Sequence, residues 1–294
     1  MMSFEEVYID SIKASKGLVE DVRFSRTLNL EPVKICAFEI CELLSTNINL
    51  FHQLNKVQDK NPYLHSHPVN VACISYFVGK WINLTSPELY SLVVAGFLHD
   101  IGKAKIKDSL LNKAEELTEK ERETVRSHPV IGYQLLDKLD SLGSDILEGV
   151  LSHHERYDGS GYPYSQKGTD IGLFGRIIAI ADIFDAMTAT KSYHMKTSPF
   201  RAIEEIQNYG FGALDPTICQ SFMNHITNYY YGSFVRLNNE RIGKIVYINP
   251  EEKTKPLIRC NNEFHNLSVE RDLQIIEVVT DDESDSIMNK LLQE

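Results

Sequence analysis

The sequence predicts a mainly α-helical protein that ends in a small β-structure, and three observations lead to this prediction. Apolar residues recur every three to four positions through most of the first 230 residues, which is the period of an amphipathic helix. Helix-start signals such as Ser86-Pro87 and Asp215-Pro216 recur along the same stretch. After Tyr231-Gly232, short apolar runs alternate with Asn-Asn, Asn-Pro and Lys-Pro, a pattern typical of strands joined by turns.

These patterns divide the chain into elements and parts. Pro32 and the apolar spacing from Ile35 to Ile48 predict one or two helices before residue 60, and Thr118-x-x-Glu121 is a capping box that predicts another helix start. Four apolar runs predict strands at Phe234 to Leu237, Ile242 to Ile248, Leu257 to Cys260 and Leu273 to Val279. We therefore expect an N-terminal helical segment (1–60), a central helical domain (61–231), a β-domain folded as an SH3-like barrel (232–280) and an acidic tail (281–294).

Composition and charge exclude several classes of protein. The 294 residues include 30 Lys and Arg against 41 Asp and Glu, giving a net charge of −11. Binding to duplex nucleic acid or to an anionic membrane requires a basic face, so neither partner is expected. The sequence has no apolar run of about 18 residues, no signal-peptide pattern and no C-x-x-C pair among its five cysteines. We therefore expect a reduced, cytoplasmic protein.

Histidine and aspartate carry the chemistry that the sequence reveals. Five of the ten histidines fall in or beside predicted helices: His67, His99, His128, His153 and His154. Neighbouring residues on a helix point about 100° apart, so His99-Asp100 and His153-His154 converge on one object only in a crevice between helices. A metal cluster is such an object, and Asp182, an acid within an apolar helix, requires a cation.

Four motifs give these residues a family context. They are His99-Asp100-Ile101-Gly102-Lys103, His128-Pro129-x-x-Gly132-Tyr133, His153-His154-Glu155-Arg156-x-Asp158-Gly159-x-Gly161-Tyr162-Pro163 and Ala181-Asp182-x-Phe184-Asp185-Ala186-Met187-Thr188. As an ordered set, these motifs resemble the HD-GYP family of cyclic dinucleotide phosphodiesterases over about residues 61 to 230. The resemblance implies a helical HD-type bundle that holds a metal cluster and hydrolyses cyclic di-GMP to pGpG, GMP or both.

The resemblance also implies a role for individual residues. The implied metal ligands are His67, His99, Asp100, His128, His153, His154 and Asp182, with Asp100 bridging two ions and also counted as catalytic. Lys103 is similar to a lysine that contacts a substrate phosphate, and Lys191, Tyr162 and Arg156 complete the expected substrate-binding set. His65 is expected to face away from the site. Two transition-metal ions per chain are expected, iron or manganese first, with nickel, zinc or cobalt compatible.

The expected chemistry follows from the substrate. A phosphodiester is anionic and resists hydroxide, so its hydrolysis needs both charge neutralisation and a nucleophile available at neutral pH. Two ions roughly 3.5 to 4 Å apart supply both by lowering the pKa of a shared water and polarising the phosphoryl oxygens, so a hydroxide bridging the ions would attack. Lys103 would add a positive charge at the phosphate.

Departures from the family pattern leave alternatives open. Tyr63 replaces the Glu that family members with a third metal carry. Pro68 follows His67 and predicts a helix start or a kink. The family's Arg-Pro-Tyr-Lys/Arg stretch is replaced by Lys191-Ser192-Tyr193-His194. No residue named above reads a base, so the substrate could also be 3'3'-cyclic GMP-AMP. A non-hydrolysing sensor is the alternative from another class. A homodimer and a signalling partner bound through the GYP loop or the β-domain are compatible with the sequence.

Overall fold

The computed structural model describes residues 2–46, 54, 63–188 and 197–279, which form a helical body and one antiparallel sheet. The helices are α1 (Phe4–Arg23), α2 (Glu31–Thr46), α3 (Tyr63–Trp81), α4 (Ser86–Leu98), α5 (Asp108–Leu111), α6 (Glu119–Arg126), α7 (His128–Leu136), α8 (Ser144–Ser152), α9 (Leu173–Thr188), α10 (Pro199–Ala213) and α11 (Pro216–Ile226). Short 3-10 helices lie at Ile101–Lys105, Gly168–Asp170 and Thr227–Tyr230. The predicted mainly helical class is confirmed.

Side-chain caps fix several helix starts. The Thr118 hydroxyl accepts a hydrogen bond from the Glu121 amide at 3.4 Å and begins α6, as the capping box predicts. Asp215 accepts bonds from the first amides of α11 in the same way. Pro68 lies inside α3 rather than at its start, because the helix already begins at Tyr63. In the described ranges, no helix is both long and apolar enough to cross a bilayer.

The N-terminal helices pack into the same core as the central helices. Tyr8 on α1 is fully buried, and its hydroxyl donates to Asn70 Oδ1 on α3 at 2.5 Å. One hydrophobic cluster extends from Phe4 on α1 to Ile275 in the sheet. The buried apolar surface is therefore shared by the parts of the chain that the structure describes. The four-part domain division stays a prediction.

Two glycines allow the close backbone approaches on which the site depends. A Cβ on Gly96 of α4 would lie 2.7 Å from Ala72 Cα on α3, so a larger residue would push these two helices apart. A Cβ on Gly102 would lie 2.0 Å from the His128 carbonyl oxygen. Gly96 therefore lets α4 pack directly against α3, and Gly102 lets the segment after α4 pack directly against α7.

The sheet is antiparallel and open. Its strands are β1 (Phe234–Leu237), β2 (Ile242–Tyr247), β3 (Leu257–Cys260), β4 (Glu263–Asn266) and β5 (Ile275–Val278), in the spatial order β4-β3-β2-β1-β5. The edge strands β4 and β5 lie at opposite ends of this order and do not pair within the described residues. The predicted SH3-like barrel is therefore not confirmed. The predicted acidic tail lies outside the described residues.

Candidate metal centre

Helix ends bring the predicted metal ligands to one point. His67 lies on α3, His99 and Asp100 follow α4, His128 begins α7, His153 and His154 follow α8, and Asp182 lies on α9. Two sets have all their ligand atoms within 4.8 Å of one another: Asp100 with His128, His153 and His154, and Asp100 with His67 and His99. Asp100 belongs to both sets, which is the geometry that a bridging carboxylate requires.

Backbone carbonyls orient three of the histidines. The Nδ1 atoms of His99, His128 and His153 each lie 2.7 Å from the carbonyl oxygen three residues earlier, at Gly96, Val125 and Val150 respectively. A carbonyl only accepts hydrogen bonds, so each Nδ1 carries the proton and each Nε2 presents its lone pair. Metal-bound histidines commonly have this arrangement, in which the second ring nitrogen donates outside the site.

His67 is held by a carboxylate instead. Its Nδ1 lies 2.6 Å from Asp185 Oδ2, and its Nε2 lies 3.2 Å from Asp182 Oδ1 and 3.6 Å from Asp100 Oδ2. Burial lowers the pKa of His67, but hydrogen bonds to Asp182 and Asp185 outweigh it and raise this pKa to about 10. In the metal-free chain, a proton on His67 therefore compensates part of the carboxylate charge.

Lys103 and the histidines stabilise the carboxylates in their charged form. Burial would raise the pKa of Asp100, but the charge of Lys103, whose Nζ lies 2.6 Å from Asp100 Oδ2, holds it well below its ordinary value. Burial is likewise outweighed at Asp182, where the hydrogen bond with His67 lowers the pKa. Asp182 is close to His67 but does not belong to either of the mutually close ligand sets.

The donor atoms fit a cation other than a proton. His128 Nε2 and His153 Nε2 lie 3.3 Å apart, so two ring lone pairs face each other. Burial lowers the pKa of His153 far below its ordinary value and that of His154 to about 3, so neither ring binds a proton at neutral pH. His99 Nε2 and Asp100 Oδ1 are buried without a hydrogen-bond partner among the described residues. Nitrogen and oxygen donors arranged in this way fit divalent metal ions.

The predicted substrate-binding residues lie in two cavities. Lys103 lines a cavity of about 600 Å³ together with His67, Asp100 and Asp182. Tyr162 and Arg156 line a separate cavity of about 360 Å³ that also contains His154. The Tyr162 ring stacks on His154, with ring centres 4.7 Å apart. His65, which was expected to face away, lines the larger cavity, and Lys191 lies outside the described residues.

The structure adds two supporting carboxylates that the sequence analysis did not assign. Asp185 lies three residues after Asp182 on the same face of α9, and that spacing was the signal available in the sequence. Glu155 is buried, and its two carboxylate oxygens accept hydrogen bonds from the amides of Tyr164 at 2.7 Å and Gln166 at 3.1 Å. It therefore holds the loop that carries Tyr162.

Comparisons with known proteins show which proteins this chain is similar to. Residues 53–218 match the family model described as HD domain. The chain is 28% identical over 230 residues to cyclic di-GMP phosphodiesterase PA4108 of Pseudomonas aeruginosa, covering 78% of this chain and 55% of the relative. It is 29% identical over 215 residues to 3'3'-cGAMP-specific phosphodiesterase 3 of Vibrio cholerae, covering 70% of this chain and 46% of the relative. The chain thus spans about half the length of these relatives.

A solved structure supports the fold. Bd1817, an HD-GYP protein from Bdellovibrio bacteriovorus, superposes with a TM-score of 0.58 at 15% identity, covering 73% of this chain and 68% of that one. At this identity the likeness concerns the fold alone. The family-model match over more than half of the residues shows that the chain belongs to the HD domain family, and its four ordered motifs resemble those of the HD-GYP branch.

Proposed function

We propose that the chain is a metal-dependent phosphodiesterase that hydrolyses cyclic di-GMP to pGpG, GMP or both. The observation that carries this proposal is the position of Asp100, which belongs to both ligand sets and lines the same cavity as Lys103. A phosphodiester in that cavity would lie next to both the proposed metal ligands and the Lys103 ammonium. The relative PA4108, which carries the name of this activity, supports the choice of substrate.

Two metal ions are proposed, with iron or manganese as the first candidates. One would be held by His67, His99, Asp100 and Asp182, and the other by Asp100, His128, His153 and His154. When bound, the ions supply positive charge to the phosphoryl oxygens and make water a stronger nucleophile at neutral pH. Side chains of the protein would perform the remaining catalytic tasks.

Lys103 is proposed to stabilise the phosphate as its negative charge grows. Its Nζ lies 2.6 Å from Asp100 Oδ2. Burial lowers the pKa of Lys103, but the charges of Asp100 and Asp182 outweigh it and raise this pKa, so the ammonium is charged at neutral pH. A fixed cation at this place needs no reorganisation when charge develops on the substrate.

A second candidate substrate is 3'3'-cyclic GMP-AMP. The relative from Vibrio cholerae is named as specific for it, and the residues assigned to chemistry contact phosphate or metal rather than a base. Both compounds have the same ring of two sugars and two phosphodiesters. The proposed chemistry is therefore the same for both, and only the contacts with the bases would differ.

Incubation of the metal-loaded chain with each cyclic dinucleotide, followed by chromatography of the products, tests this proposal. Cyclic di-GMP should give pGpG, GMP or both, and removal of the metals with a chelator should stop the reaction. Asp100→Asn keeps the size of the side chain but removes its charge, and it should abolish turnover. Absence of hydrolysis with either compound, at full metal content, would refute the proposed activity.

A further inference from the structure

The 600 Å³ cavity has walls from two different parts of the chain. One wall carries His67, Asp100 and Lys103. A second wall is formed by α1 (Phe4–Arg23), whose contribution includes Lys16 and Arg23. α1 lies outside residues 53–218, so this second wall is not part of the matched HD domain.

The orientation of α1 is fixed by contacts at both ends. Near its start, the Tyr8 hydroxyl donates to Asn70 Oδ1, and at its last turn Lys105 Nζ donates to the Val22 carbonyl at 2.5 Å. Lys105 belongs to the 3-10 helix that also contains Lys103. The α1 wall is thus tied directly to the segment that carries the proposed catalytic lysine.

Residues of α1 line this cavity and a second groove. Positions 15, 16, 18, 19, 20 and 23 line this cavity, whereas Lys13 and Asp21 line a different groove shared with α2, and Leu18 borders both. Lys13 is paired with Asp10 at 2.7 Å. The helix therefore supplies its own control: Lys16 lines the cavity, whereas Lys13, one turn earlier, lines the other groove.

Lys16 differs in its pairing from the other two cations named for this cavity. Arg23 forms an ion pair with Asp108, and Lys103 pairs with Asp100. Among the residues that the structure describes, Lys16 has no ion pair. Glu20, one turn further along α1, is the acid of the same wall. A ligand anion in the cavity would thus be attracted by Lys16 and repelled by Glu20.

We propose that α1 is one wall of the substrate site and that Lys16 binds the phosphate that is not being cleaved. This inference rests on the proposed function, because a cyclic dinucleotide carries two anionic phosphates and the metal centre can neutralise only the reacting one. Lys16 places a positive charge on the α1 wall of the same cavity. Val19 on α1 and Phe97 on α4 add apolar surface for the bases, and the cavity volume is in the range of small-molecule sites.

Steady-state kinetics of Lys16→Ala with two substrates tests the proposal. Lys16→Ala should raise KM for the cyclic dinucleotide about five- to ten-fold and leave kcat within about two-fold, because one charged hydrogen bond to bound substrate is lost. Hydrolysis of bis(4-nitrophenyl) phosphate, which has a single phosphate, should not change. Glu20→Gln should lower KM for the dinucleotide, and Lys13→Ala should match the unaltered chain with both substrates.

The possible outcomes separate a failure of the role of Lys16 from a failure of the proposed function. Equal KM values for Lys16→Ala and Lys13→Ala with the dinucleotide would overturn the role of Lys16, as would an equal loss of activity with both substrates. If the unaltered chain cleaves only bis(4-nitrophenyl) phosphate, the proposed function fails, and equilibrium dialysis with cyclic di-GMP then decides on Lys16. Weaker binding of cyclic di-GMP to Lys16→Ala than to the unaltered chain would still support the inference. Equal binding to both proteins, or no binding to the unaltered chain, would overturn it.

Discussion

Replacement of Asp185 by Asn should weaken metal binding in the half of the site that contains His67. Asp185 Oδ2 lies 2.6 Å from His67 Nδ1, and Asp185 is fully buried. Asn has nearly the same shape and keeps an acceptor oxygen, but it has no negative charge to make the imidazole a stronger ligand. Loss of such a partner costs roughly 10- to 100-fold in metal affinity, or about 1.4 to 2.7 kcal/mol.

Titration of the metal-loaded chain with a chelator measures this effect. Metal content per chain should fall in two stages for Asp185→Asn, with one ion lost at a lower chelator concentration than in the unaltered chain. The second ion should be retained as before, because His128 and His153 are oriented by backbone carbonyls. Asp145→Asn, an exposed carboxylate on α8, is the matched control. If folded Asp185→Asn releases both ions as the unaltered chain does, Asp185 does not support His67.

Four other perturbations test the remaining parts of the site. Lys103→Ala should keep near-normal metal content but lower kcat on the order of 10²-fold, as measured by product chromatography. Asp100→Ala should lose both ions in elemental analysis, because both ligand sets share this carboxylate. Gly102→Ala should lower the free energy of unfolding in urea by about 1 to 3 kcal/mol, since the new Cβ would meet the His128 carbonyl. The pKa of His67 is raised from 6.5 to about 10 in the metal-free chain, so its protonated form stabilises the fold below pH 6.5 and this contribution is lost as the pH rises through about 10. Metal must displace that proton, so calorimetry should show proton release and an affinity that increases with pH.

Most of the fold could be predicted from local sequence signals. The caps at Thr118 and Asp215 begin helices as expected, and β1 and β3 have the predicted bounds. β4 (Glu263–Asn266) was not predicted, because an edge strand with mostly exposed side chains has no apolar alternation. The barrel prediction was not confirmed because closure depends on pairing between distant strands, and no local pattern specifies it.

The sequence predicts the site residues that belong to a motif, but not the contacts that tertiary packing creates. His99, His153 and His154 were predicted because each lies beside an aspartate or a second histidine, and His128 because it begins a recognisable motif. The neighbouring carboxylate Asp185 stands within a motif, but its contact with His67 joins positions 118 residues apart. The position of Lys16 in the cavity depends on how α1 packs against α3. The sequence of α1 contains no motif, so it does not predict that position.

The orientation of the histidines has a consequence for how mutation can alter this metal centre. His99, His128 and His153 are oriented by peptide carbonyls, which every amino acid supplies, so substitutions at Val125 or Val150 leave the acceptor in place. His67 is aimed by a side chain that a single codon change can replace. A single side-chain substitution can therefore change the orientation of His67 more directly than that of His128 or His153.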